Sequence, residues 1–153
     1  MKNSYSNIFA FNNKTLKKTI NCLNNSNVVG LPTETVYGVG GNAYNKSSIK
    51  KIYKLKKRPK SNPLIIHYYN LDQAINDIEI NKFFLKLYKK FCPGPITFIL
   101  KKKKNSKIHE LASAKLNTVA IRFPNHRVIR SILKEVSFPL AMPSANKSTF
   151  VSP

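Results

Sequence analysis

The chain has 153 residues, 42% of them hydrophobic, which suits one domain with a sizeable core. No apolar run is long enough to span a bilayer, and the first eleven residues lack the apolar stretch and cleavage site of a secretory signal, so a cytoplasmic protein without a membrane partner is expected. The formal net charge is +21, from 27 Lys and Arg against 6 Asp and Glu. It points either to a polyanion such as tRNA or double-stranded RNA or to the A/T-rich codon usage that also enriches Asn, Ile, Tyr and Phe.

In chain order, Leu16, Ile20 and Leu23 recur at helical spacing and predict a helix over 14–25. The apolar run 28–31, closed by Pro32, predicts a buried strand. Asn45 can cap a helix over 46–57, with Ile49, Ile52 and Tyr53 on one side. A short strand is expected at 64–67, then helices over 71–78 and 81–91. Pro93-Gly94-Pro95 breaks the chain. Strands follow at 96–100 and 118–123. Asn125 is expected to cap a helix carrying Val128, Ile129, Ile132, Leu133 and Val136, and a last strand over 140–142 runs into Pro143. Strands and helices alternate, so the class is α/β. Cys22 and Cys92 are far apart, and His67, His109 and His126 are scattered, so neither a disulfide nor a metal motif follows from spacing.

Three segments carry chemistry. In 30–41 an apolar strand runs into hydroxyls and glycines. An extended backbone would put Thr33, Thr35 and Tyr37 on one face; a Gly-rich turn whose hydroxyls satisfy their own backbone is the alternative. Glu34, the sole acid of this segment, suits either a metal or water contact or a structural hydrogen bond. Lys56 and Arg58 stand at a helix end, and Pro59 disfavours the helical state for Arg58. Two cations converging there suit phosphates, as a basic helix C-terminus also suits the helix dipole. Ser144 and Asn146 alternate just past a strand end, where ligands of open α/β sheets tend to sit.

The wording and order of these segments are more specific than their chemistry. "PTETVYGVGGNA", "KKRPKSNPLIIH", "FCPGPITFIL", "TVAIRFPNH" and "LAMPSANKS" follow one another from about residue 28 onward. This run resembles the YrdC/TsaC family of threonylcarbamoyl-adenylate synthases. The resemblance implies a YrdC-like twisted mixed sheet with flanking helices and a concave, positively charged face. It implies one such domain over 1–153. It also implies an activity: L-threonine, bicarbonate and ATP, the last with Mg²⁺, would give threonylcarbamoyl-AMP and pyrophosphate. A partner transferase would then modify tRNA.

By the same resemblance, Lys56, Arg58, Ser144 and Asn146 would surround the reacting phosphate. Thr33, Tyr37, His67 and Arg122 would form the threonine pocket. Arg58, Asn62, Thr118, Asn146 and Ser152 would contact ATP. No protein group is assigned to a metal. Family members continue with further strands, including a Gly-rich segment and an Arg-Pro-Gly turn, that this sequence does not show. An RNA-binding protein without catalysis, or an inactive shortened remnant, therefore stands beside the synthase as an expectation.

Overall fold

The computed structural model describes residues 7–146. Its elements are α1 (Asn13–Asn24), β1 (Val29–Leu31), β2 (Gly38–Asn42), α2 (Lys46–Lys56), β3 (Ile65–His67), α3 (Leu71–Ala74), α4 (Lys82–Phe91), β4 (Thr97–Lys101), β5 (Thr118–Arg122), α5 (Arg127–Glu135) and β6 (Leu140–Ala141). The α/β class expected from the sequence is what forms.

Four helices begin in the same way. Asn12, Asn45, Asn70 and Asn81 have extended backbones, and each side chain accepts the N–H three residues on, satisfying a donor the helix leaves open. The fifth departs from expectation. His126, not Asn125, caps α5, its ring nitrogen taking the Val128 N–H at 3.2 Å. The Asn125 N–H is engaged elsewhere, by Glu34.

Six strands make one sheet in the order β1-β2-β6-β3-β5-β4. All neighbours are antiparallel except β3 and β5, which run parallel with His67 opposite Arg122. Strand β2 was not expected, because three of its five residues are glycine. Close approach explains one of them: a Cβ on Gly38 would lie 2.5 Å from Met142 Cγ and 3.0 Å from the Pro143 carbonyl oxygen.

Alternation along the strands divides the side chains between two faces. Ile66, Val119, Ile121, Phe98 and Leu100 point into a core filled by Ile49, Ile52 and Tyr53 of α2 and Phe84 of α4. On the other face, Leu23 of α1 and Ile129, Ile132 and Leu133 of α5 cover Leu31, Leu140 and Met142. That second cover lies over β1 and β6; beyond it the face is exposed along β4 but closed where β3 and β5 end, His67 being 3% and Arg122 9% exposed. Ile65, His67, Thr118, Ala120, Arg122, Thr97, Ile99 and Lys101 therefore share a face without a helix over it, and Ile99 is 74% exposed.

The helix expected over 71–78 stops at Ala74, because the chain turns to bury Asp77. Its carboxylate accepts Tyr44 Oη at 2.6 Å and Tyr68 Oη at 2.9 Å on one oxygen. The other oxygen accepts Ser106 Oγ and the Lys107 N–H, both at 2.8 Å. Burial and the Asp77 charge push both phenols above the ordinary tyrosine range. Ile78 then bridges Lys102 beside β4. Replacing Asp77 by Ala leaves four donors without their acceptor and should cost about 3 kcal/mol or more of unfolding free energy. Tyr44→Phe should cost only about 1 kcal/mol; urea unfolding of both variants measures the difference.

Candidate active site

Between β1 and β2 the chain crosses in a tight bend. Thr33 closes it: its hydroxyl donates to the Val36 carbonyl at 2.7 Å and accepts the N–H groups of Val36 and Thr35 at 3.1 and 3.2 Å. The extended reading of 33–37 is thereby corrected, since a hydroxyl that can bond its own turn competes with an extended backbone. The Thr33 and Thr35 hydroxyls still meet, 3.0 Å apart, while Tyr37 is 63% exposed.

The segment after β6 lies against this bend. Gly38 bridges Ser144, the Val39 N–H donates to the Pro143 carbonyl at 3.0 Å, and the Ala145 N–H donates to the Tyr37 carbonyl at 2.7 Å. On its far side stands the end of α2. Lys56 is buried, and its ammonium donates to the main-chain carbonyls of Ser144 and Asn146. Burial first, and then the Arg58 charge, pushes this ammonium below its ordinary pKa.

Lys57 takes a left-handed conformation with φ 50°, which ends the helix and turns Arg58 toward the loop that follows. Arg58 Nε donates to the Asn62 carbonyl at 3.1 Å. Its Nη2 donates to Asn62 Oδ1 at 2.6 Å and to the Pro63 carbonyl at 2.9 Å. Asn62 is thus placed by Arg58, and Lys56 and Arg58 are anchored on different segments.

At the end of β5, Arg122 forms the ion pair found among the described residues. Its Nη2 and Nε donate to Glu34 Oε1 at 2.7 and 3.2 Å, and Nη2 also reaches Thr35 Oγ1 at 3.3 Å. Glu34 Oε2 accepts the Asn125 N–H at 3.2 Å. Burial pushes the Glu34 carboxyl up, but its own main-chain N–H, Arg122 and Asn125 outweigh that and hold it below the usual range. The sequence flags Glu34 only as the sole acid of its motif. It is also the sole acid before Asp72 in a chain with 27 cations, the signal that could have marked it for pairing.

His67 lies directly opposite Arg122 in the parallel register. It is buried, with Nδ1 3.2 Å from the Ile65 carbonyl. Burial, and then the Arg122 charge, lowers its ring to about 4, so it is neutral at pH 7. Thr118 shares the Arg122 face of β5 but sits four residues away, some 13 Å at strand rise. Ser152 falls outside the described residues.

The structure thus gathers Thr33, Glu34, Thr35, Tyr37, Ser144 and Lys56 around one bend and ties that bend to Arg122. Among the described residues, Nη1 of Arg58 and of Arg122 has no protein partner, and Lys56 has a third N–H to offer. Donors of this kind take carboxylates and phosphates. No three His, Cys, Asp or Glu side chains lie together among the described residues, and Glu34 has both oxygens engaged.

Residues 21–153 match the profile of the Sua5/YciO/YrdC family, which bears the description telomere recombination. The chain belongs to this family. It is 42% identical over 133 residues to the threonylcarbamoyl-AMP synthase of Bacillus subtilis (strain 168), covering 86% of this chain and 38% of that protein. A putative threonylcarbamoyl-AMP synthase of Methanocaldococcus jannaschii is 33% identical over 158 residues, covering 100% of this chain and 72% of that one. The crystal structure of Pyrococcus abyssi Sua5 complexed with L-threonine superposes with a TM-score of 0.89 at 34% identity, over 95% of this chain and 42% of that one. This chain spans about two fifths of the B. subtilis and P. abyssi proteins. The twisted mixed sheet flanked by helices is the architecture of the Sua5/YciO/YrdC family.

His67 makes stability in this family member depend on pH. Its folded pKa of about 4 lies below the ordinary 6.5, so the unfolded chain protonates first as pH falls. The full contribution is present above pH 6.5. Up to about 3 kcal/mol is lost as the pH drops toward 4. Urea midpoints at pH 7 and 4.5 should differ less in His67→Gln than in the wild type.

Proposed function

We propose that this chain is one YrdC-like domain acting in the cytoplasm as an L-threonylcarbamoyladenylate synthase, with L-threonine, bicarbonate and ATP as substrates. The observation that carries the reading is the bond from the Lys56 ammonium to the Ser144 and Asn146 carbonyls. It joins a KxR and an SxN motif that stand 88 residues apart at Lys56 and Ser144. The names of the relatives, and the L-threonine complex of the P. abyssi protein, agree with it.

In this reading Arg122 takes the threonine carboxylate, beside the Thr33 and Thr35 hydroxyls, with Tyr37 and neutral His67 shaping the pocket. The threonine amine and bicarbonate give a carbamate and water. A carbamate oxygen attacks the α-phosphorus of ATP, and pyrophosphate leaves. Both partners are anionic, so Lys56 and Arg58 offset their repulsion and the charge growing on the leaving group. Ser144 and Asn146 line the α-phosphate, and Asn62, Thr118 and Ser152 contact the nucleotide. Catalysis is then positioning and electrostatics.

Mg²⁺, carried by ATP and not by protein carboxylates, would neutralise phosphate oxygens. The donor set fits that role: the cations Lys56 and Arg58 occupy the phosphate side, and the sole nearby carboxylate is bound to Arg122. The face of β3, β5 and β4 would be the concave wall, with Arg122 and Lys101 as its cations. A transferase acting on tRNA would consume the product.

A second reading is supported by charge. With 27 cations against 6 acids, and one ion pair among the described residues, most of the described lysines are exposed without an acidic partner. Such a surface suits RNA without catalysis. The deciding assay supplies ATP, labelled bicarbonate and L-threonine, with threonylcarbamoyl-AMP and pyrophosphate expected as products. Arg58→Ala should lower turnover ten- to a hundredfold, about 1.5–3 kcal/mol for a charge-assisted hydrogen bond, in a chain that still folds. No product together with salt-sensitive RNA binding would support the second reading. Absence of both would mean an inactive remnant.

A further inference from the structure

A carboxylate inside a site built for anions needs a reason. Glu34 repels any carboxylate or phosphate brought to the face that carries Arg122, yet the bend at 33–37 presses it there. Its contacts supply the reason. Oε1 takes the Nε/Nη2 edge of Arg122, at 3.2 and 2.7 Å, and Oε2 takes the Asn125 N–H at 3.2 Å. A guanidinium has two forks that match a carboxylate. With Nε and one N–H of Nη2 held, the remaining fork is Nη1 with the second N–H of Nη2. The Thr35 hydroxyl, at 3.3 Å, is the group now directed to it.

We propose that Glu34 is the positioning residue for Arg122: it holds one edge of the guanidinium so that the other is presented, pre-aimed, to a ligand carboxylate. The same bonds fasten the 33–37 bend to the end of β5, so Arg122 and the Thr35 hydroxyl reach the ligand as one unit. This deepens the reading of Arg122 as the carboxylate-binding residue and rests on it. Glu34 itself touches no reacting atom. Its oxygens are engaged by protein donors, so it is a poor candidate for accepting a substrate proton. Pre-aiming removes the freedom a long side chain would otherwise lose on binding.

The test uses the full chain and two variants, with side-chain NMR of Arg122 and calorimetric titration of L-threonine and, separately, ATP. The Arg122 Nε–H signal should be resolved and slow to exchange at pH 7. In Glu34→Ala it should vanish into solvent exchange, and in Glu34→Gln exchange should quicken at least tenfold. L-Threonine should bind Glu34→Ala at least tenfold more weakly. Glu34→Gln should also bind it more weakly, by a smaller factor. ATP affinity should change less than twofold in both. The sign is the discriminator: simple repulsion would make a neutral residue 34 tighten the binding of a carboxylate. Equal or tighter L-threonine binding by Glu34→Gln overturns the proposal. Should Glu34→Ala fail to fold, Glu34→Gln keeps an acceptor for Asn125 and carries the same sign test. A wild-type chain that binds no L-threonine would refute the reading of the site. The Nε–H signal would still judge the positioning role: slow exchange retained in Glu34→Gln overturns it, and fast exchange upholds it.

Discussion

The ammonium of Lys56 is the constraint on which the site depends. It is buried at the end of α2, and its described partners are main-chain carbonyls, not a carboxylate. A charge taken out of water costs several kcal/mol before any partner is counted. Two carbonyl dipoles offset part of that, and they do so only if the 144–146 segment is where it is. That segment in turn carries the Tyr37 carbonyl on the Ala145 N–H, and so sets the end of the bend whose other contact is Arg122. One ammonium thus links α2, the segment after β6 and the first loop of the sheet.

Close packing supports the same junction from beneath. Gly38 lets β2 approach Met142 and Pro143 more closely than any side chain would permit. Met142 belongs to the core under α1 and α5, so the site rests on packed hydrocarbon and not on loop contacts alone. The two cores are unequal in reach. The first backs the sheet from β2 to the edge strand β4, whereas the second stops at β6. No helix of the second core covers the face of β3, β5 and β4 that carries Arg122, His67 and Thr118; at its Arg122 end the 33–37 bend lies on it instead, through Glu34 and Thr35.

Much of this was legible in the sequence, for reasons that can be named. Asparagine before an apolar-periodic run marks a helix start: the cap expected at Asn45 forms, and Asn12, Asn70 and Asn81 play the same part at helices whose caps were not expected from the sequence. Apolar runs such as 64–67 and 118–123 have few alternatives to a strand. Strand β2 was hidden because glycine carries no alternation to read. The end of α3 was hidden because its cause, the burial of Asp77, depends on Ser106 and Lys107 far along the chain. At the site, the motif residues could be named from their wording and order, but their pairing could not. Glu34 and Arg122 are 88 residues apart, and nothing local in either segment tells which cation the acid meets. The Thr33 hydroxyl went to its own turn, the alternative that residue chemistry had left open.

The place of β6 in the sheet has a consequence for the order in which the molecule can be built. It is the last described strand in the chain, yet it lies between β2 and β3. Before it docks, the hairpin of β1 and β2 has no neighbour on its inner side, and the β3-β5-β4 half stands apart from it. As a chain grows from the ribosome, both halves must wait with unpaired edges until residues 140–141 emerge. The Ser144 and Asn146 carbonyls that hold the Lys56 ammonium, and the floor under the bend, arrive with the same segment. Closure of the sheet and completion of the site are therefore a single, late event, and a nascent chain shorter than that has neither.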